Sequence, residues 1–432
     1  MFVLLKNYRF VVAIILFFAG TINFMDRAAI GILAPYIQHD LGLDAAAMGI
    51  VFSTFFMGYA LFSFIGGYFS DRAGPRRTYA VAGIAWSIFC GLTGVVTGFW
   101  QLLVVRVLFG FAEGPMSSTT NRTCASWFPR QEAARAVGFT FSGQTFGSAI
   151  AAPLVVLAAA TFGWRVAFMT LTALGLIWAV LWIIFVNDHP DQSRFVGKVE
   201  ADFIRAGQTG VTGATLVDEN TPLLACLRRP AVIALGVALF GINYTLYIFI
   251  SWMPTYLHDS MGVDMKQMAV AAMIPWIGGF VGYIGGGWLA DKVYRKATNK
   301  LAARKIFITI PTTLVAACLV ALLFVNSITQ AVFLLSAALL MLTVGTQAVW
   351  ASISEVVPSS RVGGTGGFVH FLANLSGILS PAVTGFAVKY IGGYDAAFLL
   401  AAGIALVATV IVTVLVKRPA PAMLKLAAMG PV

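Results

Sequence analysis

Four ionisable side chains interrupt otherwise apolar runs, Asp26 and Arg27 within residues 10–34 and Arg106 and Glu113 within residues 100–121. A charged group near the centre of a lipid-embedded helix costs about 2.5–3.5 kcal/mol on insertion scales, so function is the first reading of such residues. An arginine, charged at every working pH, offers a planar fork to a carboxylate. A carboxylate withdrawn from water offers a place for a proton, which fits Asp26 or Glu113 as a carrier. Two acids and two guanidiniums sum to zero, so an arriving anion leaves the surroundings one charge short unless a cation accompanies it. A proton is the simplest companion. Arg106 and Glu113 are seven residues apart and share a helix face, so either they neutralise one another or each meets a partner in the first apolar run.

The elements that must position these groups follow from composition. The chain has 432 residues, 59% of them hydrophobic and 10% charged, which is too apolar for a soluble protein of this length. Apolar runs of bilayer-crossing length occur at 10–34, 47–69, 79–97, 100–121, 134–158, 165–187, 231–256, 266–290, 306–325, 330–352, 362–388 and 394–416, which predicts twelve transmembrane helices and an all-α membrane protein. Lys6 and Arg9 precede the first run without a small-residue cleavage site, so it reads as an uncleaved helix.

The net charge of +11 raises the question of nucleic acid, and the placement of the charges answers it. Lys6, Arg9, Arg72, Arg76, Arg77, Arg122, Arg130, Arg135, the basic residues of 188–230, those of 292–305, and Arg361, Lys417, Arg418 and Lys425 fall on one side of the spans; Arg165, Lys266 and Lys389 fall on the other. The asymmetry puts both termini in the cytoplasm of a cell membrane and assigns the basic charge to orientation, not to nucleic acid. Cys90, Cys124, Cys226 and Cys318 are scattered and read as packing residues. No metal-ligand spacing, Walker sequence or nucleophile motif occurs, so no enzyme activity, metal or cofactor is expected.

Comparing the chain with itself at a shift of 220 pairs Tyr36 with Tyr256, Gly42 with Gly262, Asp44 with Asp264, Gly67 with Gly287 and Asp71 with Asp291. At 229 or 230, Pro129 meets Pro358, Gln144 meets Asn374 and Phe168 meets Phe398. A six-helix unit has been duplicated, which implies two pseudo-symmetric bundles, 1–187 and 231–416, joined by a polar cytoplasmic linker, 188–230, with a cytoplasmic tail, 417–432. Six spans per half make the repeats parallel, and facing repeats bind at the midplane and open to alternate sides. The turn after the second span carries Gly67, Asp71, Arg72, Gly74, Arg76 and Arg77, echoed by Gly287, Asp291 and Lys292. Glycine admits close helices and Asp accepts backbone and arginine hydrogen bonds, so Gly67, Asp71, Arg72, Arg76, Asp291 and Lys292 are read as gating residues. The runs Gly278-Gly279, Gly285-Gly286-Gly287 and Gly363–Gly367 are read as packing and hinge positions.

Asn23-Phe24-Met25-Asp26-Arg27, Arg106, Glu113-Gly114-Pro115, Trp127-Phe128-Pro129 and Gly163-Trp164-Arg165, taken with the duplication and the paired loop, resemble the major facilitator superfamily. Within it the chain is similar to the anion:cation symporter family, which includes bacterial importers of hexuronate, galactonate and glucarate. The resemblance implies that Arg27 binds the substrate carboxylate, that Asp26 and Glu113, with Arg106, couple protons, and that Tyr59, Gln144 and Asn374 hydrogen-bond substrate hydroxyls. His370 shares a face with Asn374, and Asn243, Tyr244, Tyr247, Gln347 and Trp350 are further candidates in the second half. The expected function is proton-coupled symport of a carboxylated sugar or similar small organic anion by a monomer in the lipid bilayer. Export or exchange of the same anions is the alternative, and a non-transporting anion sensor the more distant one.

Overall fold

Lipid offers no water to backbone N–H and C=O groups, so each apolar run must close its hydrogen bonds within itself. The computed structural model describes residues 7–209, 222–357 and 362–416, and among them helices and short connections occur but no strand. In chain order the helices are α1 (Arg9–Ile32), α2 (Ala34–Leu41), α3 (Ala45–Ala73), α4 (Pro75–Thr93), α5 (Phe99–Glu113), α6 (Met116–Trp127), α7 (Arg130–Phe162), α8 (Trp164–Phe185), α9 (Lys198–Thr209), α10 (Leu223–Leu227), α11 (Pro230–Met261), α12 (Met265–Lys296), α13 (Lys300–Ala321), α14 (Ile328–Val356), α15 (Val362–Tyr390) and α16 (Gly393–Leu415). Among the described residues ten helices are individually long and apolar enough to span a bilayer. The remaining two of the twelve spans are α4, rich in small and polar residues, and the α5–α6 pair, which Gly114 and Pro115 interrupt. Ile177, Val180 and Ile184 of α8 and Val407, Val410 and Val414 of α16 stand uncovered on their helices, as lipid-facing side chains do.

The duplication shows in the turns. Gly42 and Gly262 both adopt φ 64°, a left-handed conformation that glycine takes without penalty and that ends the preceding helix. Two residues later Asp44 accepts from Ala47 N at 2.8 Å and Asp264 from Gln267 N at 2.8 Å, so the same side-chain cap starts α3 and α12.

The chain divides into two compact units, Met1–Val211 with Phe249–Ile277 and Pro381–Lys389, and Thr212–Ile248 with Gly278–Ser380 and Tyr390–Val432. The helices α11, α12 and α15 therefore each contribute one end to the first unit. Within that unit Gly31 of α1 lies against the carbonyls of Ile250 and Ser251, and Gly49 of α3 against Pro381 O and Gly385 Cα. Phe52 meets Trp252 edge to face at 5.2 Å, Trp252 Nε1 donates to Pro381 O at 3.0 Å, and Lys389 Nζ bonds Asp44 Oδ2 at 2.6 Å. That lysine holds the Asp44 carboxyl below its ordinary range. Arg165 does the same for Asp40, with which it forms an ion pair.

Part of the polar join packs onto the first unit. Glu200 of α9 is buried and accepts from Tyr8 N at 2.8 Å and Arg9 N at 3.1 Å, capping the start of α1. Arg9 in turn bonds Glu132 of α7 at 2.9 Å, and Gln208 donates to the carbonyls of Ala125 and Ser126 at the end of α6. The helix thus ties together the ends of α1, α6 and α7. In the second unit, Gly278 of α12 lies against Ser336 of α14, where a Cβ would come 2.8 Å from the carbonyl oxygen.

Candidate functional site

Close helix contact assembles the charged residues of the first unit. Gly58 of α3 and Gly110 of α5 each face the other helix's backbone, and a side chain at either would collide with a carbonyl oxygen of Val107 or Phe55. The same holds for Gly143 and Gly147 of α7 against Phe17 and Thr21 of α1. Small residues at such crossings let backbones touch, so side chains flanking them on α1, α3 and α5 are driven into one another. Asn23, Asp26 and Arg27 of α1 and Arg106 and Glu113 of α5 are 0, 1, 4, 2 and 0% exposed.

Within this cluster Arg27 Nε donates to Glu113 Oε2 at 2.7 Å. Of the two arrangements open to the sequence, Glu113 takes the one across helices. Among the described residues Arg106 Nε and Nη1 lack a hydrogen-bond partner, while Asn23 lies within bonding reach of Glu113 and Cys90 within bonding reach of Asp26. Buried charge without its full set of hydrogen bonds is costly. Aromatic faces supply part of what hydrogen bonds do not. The Arg27 guanidinium carbon lies 4.3 Å from the Tyr59 ring centroid and 5.0 Å from those of Phe24 and Phe55; that of Arg106 lies 4.8 Å from Phe55 and 5.1 Å from Phe109. Each such contact is worth about 2 kcal/mol or more when desolvated.

Tyr59 is therefore drawn to Arg27, whereas Gln144, half-buried on α7, packs beside Gly20 of α1. In the second unit Tyr247 Oη donates to Asn374 Oδ1 at 3.0 Å, and the Asn374 amide nitrogen lies 3.3 Å from His370 Nδ1. The Trp350 ring stands 5.8 Å from that of His370. These four form one chain of polar and aromatic groups. Tyr244 is buried, its carbonyl accepting from Ser380 Oγ at 2.7 Å, Asn243 is buried beside it, and Gln347 is within bonding reach of Tyr283.

Of the gating candidates, Gly67, Asp71 and Asp291 lie outside the residues whose side chains are described. Arg72 is exposed and lines a cavity of about 270 Å³ with Arg122, Ser126, Asp188, His189 and Gln192. Arg76 is anchored at both ends, its N–H on Asp188 Oδ1 at 2.8 Å and its Nη2 on Ile183 O at 2.6 Å. Asp188 thus accepts a backbone hydrogen bond at the start of α4. Lys292 sits 4.9 Å over the Trp288 ring. Sequence reasoning missed Phe24, Phe55 and Phe109, and the available signal was their spacing of three or four residues from Arg27, Tyr59 and Arg106. Among the described residues no three His, Cys, Asp or Glu side chains come together as for a metal.

The profile described as Major Facilitator Superfamily matches residues 16–350 and 296–431. The chain belongs to the major facilitator superfamily. As a member of it the protein is a transporter embedded in a membrane by twelve helices, and not an enzyme. Over 404 residues it is 41% identical to the hexuronate transporter of Bacillus subtilis, covering 93% of each chain. It is 32% identical to the D-galactonate transporter of Escherichia coli over 89% of this chain and 90% of that one. Among solved structures, a D-xylose-proton symporter superposes with TM-score 0.73 at 14% identity, covering 95% of this chain and 98% of that one. A bacterial homologue of the human lysosomal transporter Spinster, inward-facing and unoccupied, superposes with TM-score 0.70 at 19% identity, covering 98% and 97%. These two likenesses concern the fold alone.

Proposed function

We propose that this chain imports a carboxylated sugar of the hexuronate class together with protons across a bacterial inner membrane, as a monomer with both termini in the cytoplasm. The observation that carries the reading is the 2.7 Å contact of Arg27 with Glu113. One guanidinium cannot give its best geometry to two carboxylates at once, so the sugar acid and Glu113 compete for Arg27. Protonation of Glu113 removes its charge and releases the fork to the substrate carboxylate. Departure of substrate restores the pair and expels the proton. Asp26, buried beside Glu113 and Arg106, is the second proton site. Two protons with one monoanion also admit the membrane potential as a driving force, about 2.3 kcal/mol per net charge per 100 mV.

Tyr59, Gln144, Asn374, His370 and Tyr247, with Asn243, Tyr244, Gln347 and Trp350, bind the sugar hydroxyls and ring. The identity to a hexuronate carrier supports a monocarboxylate substrate. The repeats 1–187 and 231–416 act as the two moving halves, with Gly67, Asp71, Arg72, Arg76, Asp291 and Lys292 gating the cytoplasmic side. Reconstitution in liposomes tests the reading. An inward proton gradient accelerates uptake of galacturonate or glucuronate, and Arg27→Ala abolishes it. Counterflow with no response to the gradient would replace import with exchange, and binding without flux would leave a sensor.

A further inference from the structure

Arg27 and Arg106 come from different helices, yet both guanidinium carbons lie within about 5 Å of one ring. That ring is Phe55, at 5.0 and 4.8 Å. It is 1% exposed, stacked on Tyr59 at 5.8 Å and 19°, and tilted edge-on to Phe109 at 5.5 Å. Its backbone carbonyl is pressed against Gly110, so neither ring nor main chain has room to withdraw. Among the described residues two nitrogens of Arg106 have no hydrogen-bond partner, and the faces of Phe55 and Phe109 lie beside that guanidinium. A ring face attracts a cation without presenting a charge that the cation can neutralise.

We propose that Phe55 is a positioning residue of the coupling step, a shared aromatic face that holds Arg27 and Arg106 ready for a substrate carboxylate and limits their pairing with Glu113 and Asp26. The proposal rests on the coupled-import reading above. Among the described residues, the ionisable groups facing the pair of guanidiniums are Asp26 on α1, Tyr59 on α3, Cys90 on α4 and Glu113 on α5. Among the described residues Asp26 and Glu113 are the acids that compete with the ring for the arginines. Without the ring the guanidiniums relax onto these carboxylates. Substrate then has to displace a stronger internal pair, and each acid holds its charge to lower pH.

The test uses the full chain in proteoliposomes with galacturonate, comparing Phe55→Leu, Phe55→Met and Phe55→Tyr with the unaltered protein for KM, maximal rate and the pH at which uptake is half-maximal. Methionine, unbranched and flexible, keeps the test available where leucine misfolds. Leucine and methionine are expected to raise KM about thirtyfold, the scale of a lost desolvated ring contact, and to move the uptake profile to lower pH. Tyrosine, which keeps the face, restores both. Unchanged KM and profile in the leucine or methionine variant, even with a reduced maximal rate, would overturn the proposal, because a packing defect alters the amount of working protein but not these two readouts. If the unaltered protein ignores the proton gradient, the coupled-import reading fails, while the KM arm still reports on Phe55 as a holder of the arginines.

Discussion

Gly49→Ala should open a specific seam. In the first unit Gly49 of α3 faces the end of α15, and a Cβ there would stand 2.7 Å from Pro381 O, 3.2 Å from Gly385 Cα and 3.3 Å from Ala382 Cα. All three are backbone atoms, so no side chain can swing aside, and the worst approach is about 0.7 Å short of the 3.4 Å at which ordinary contact begins. Overpacking of this kind costs about 1–3 kcal/mol. Where the seam exists in only one of two conformations, that cost shifts their ratio about 5- to 150-fold. In the orientation proposed above, this seam lies on the outer side, with Phe52, Trp252, Asp44 and Lys389 beside it. The assay is labelling of Ser53→Cys by an impermeant maleimide from outside, in a background lacking the four native cysteines. Ser53 is buried on the same face of α3, four residues from Gly49, and should label at least about fivefold faster when Gly49→Ala is added. Equal labelling rates together with normal transport would refute the reasoning, since they would show that this contact is not broken during the cycle.

Glu113→Gln should uncouple uptake from the proton gradient while counterflow persists; it should also lower the thermal midpoint, because removing one partner of a buried ion pair costs about 3–5 kcal/mol. Tyr247→Phe deletes the hydroxyl bonded to Asn374 at 3.0 Å and should weaken galacturonate binding up to about tenfold without altering the pH profile, as read by competition uptake. The Asp44 carboxyl is held below its ordinary range by Lys389. Its pair is therefore fully formed above about pH 4 and is lost as pH falls through the still lower value in the folded protein. The thiolate is the reacting form, so labelling at Ser53→Cys is read as a ratio to that of an exposed reference cysteine; this ratio should accordingly be flat between pH 5 and 8, and Asp44→Asn should raise it equally across that window.

Much of this architecture is legible in the residues because lipid leaves few choices. An apolar run must be a helix, a lone Asp or Arg within it must find protein or water, and paired turns such as Gly42–Asp44 and Gly262–Asp264 must repeat their caps, as the equal φ of 64° and the equal 2.8 Å hydrogen bonds show. Other features depend on contacts between segments far apart in sequence. The docking of α9 through Glu200 onto Tyr8 and Arg9 joins residues 192 and 191 positions apart, and a polar, mixed-charge stretch carries no local mark of such a partner. The cap of α4 by Asp188 is of the same kind.

The amino-acid sequence by itself determined the number of the spans, the duplication, and which ionisable side chains lie inside the apolar layer, since all of these are set by local composition and period. Tertiary structure alone decided that Glu113 meets Arg27 and leaves Arg106 to Phe55 and Phe109. Spacing along a helix says which residues share a face; which face meets which neighbour, and how closely, depends on helix rotation and separation. Those are set here by backbone contacts at Gly58, Gly110, Gly143 and Gly147, whose partners no single segment specifies.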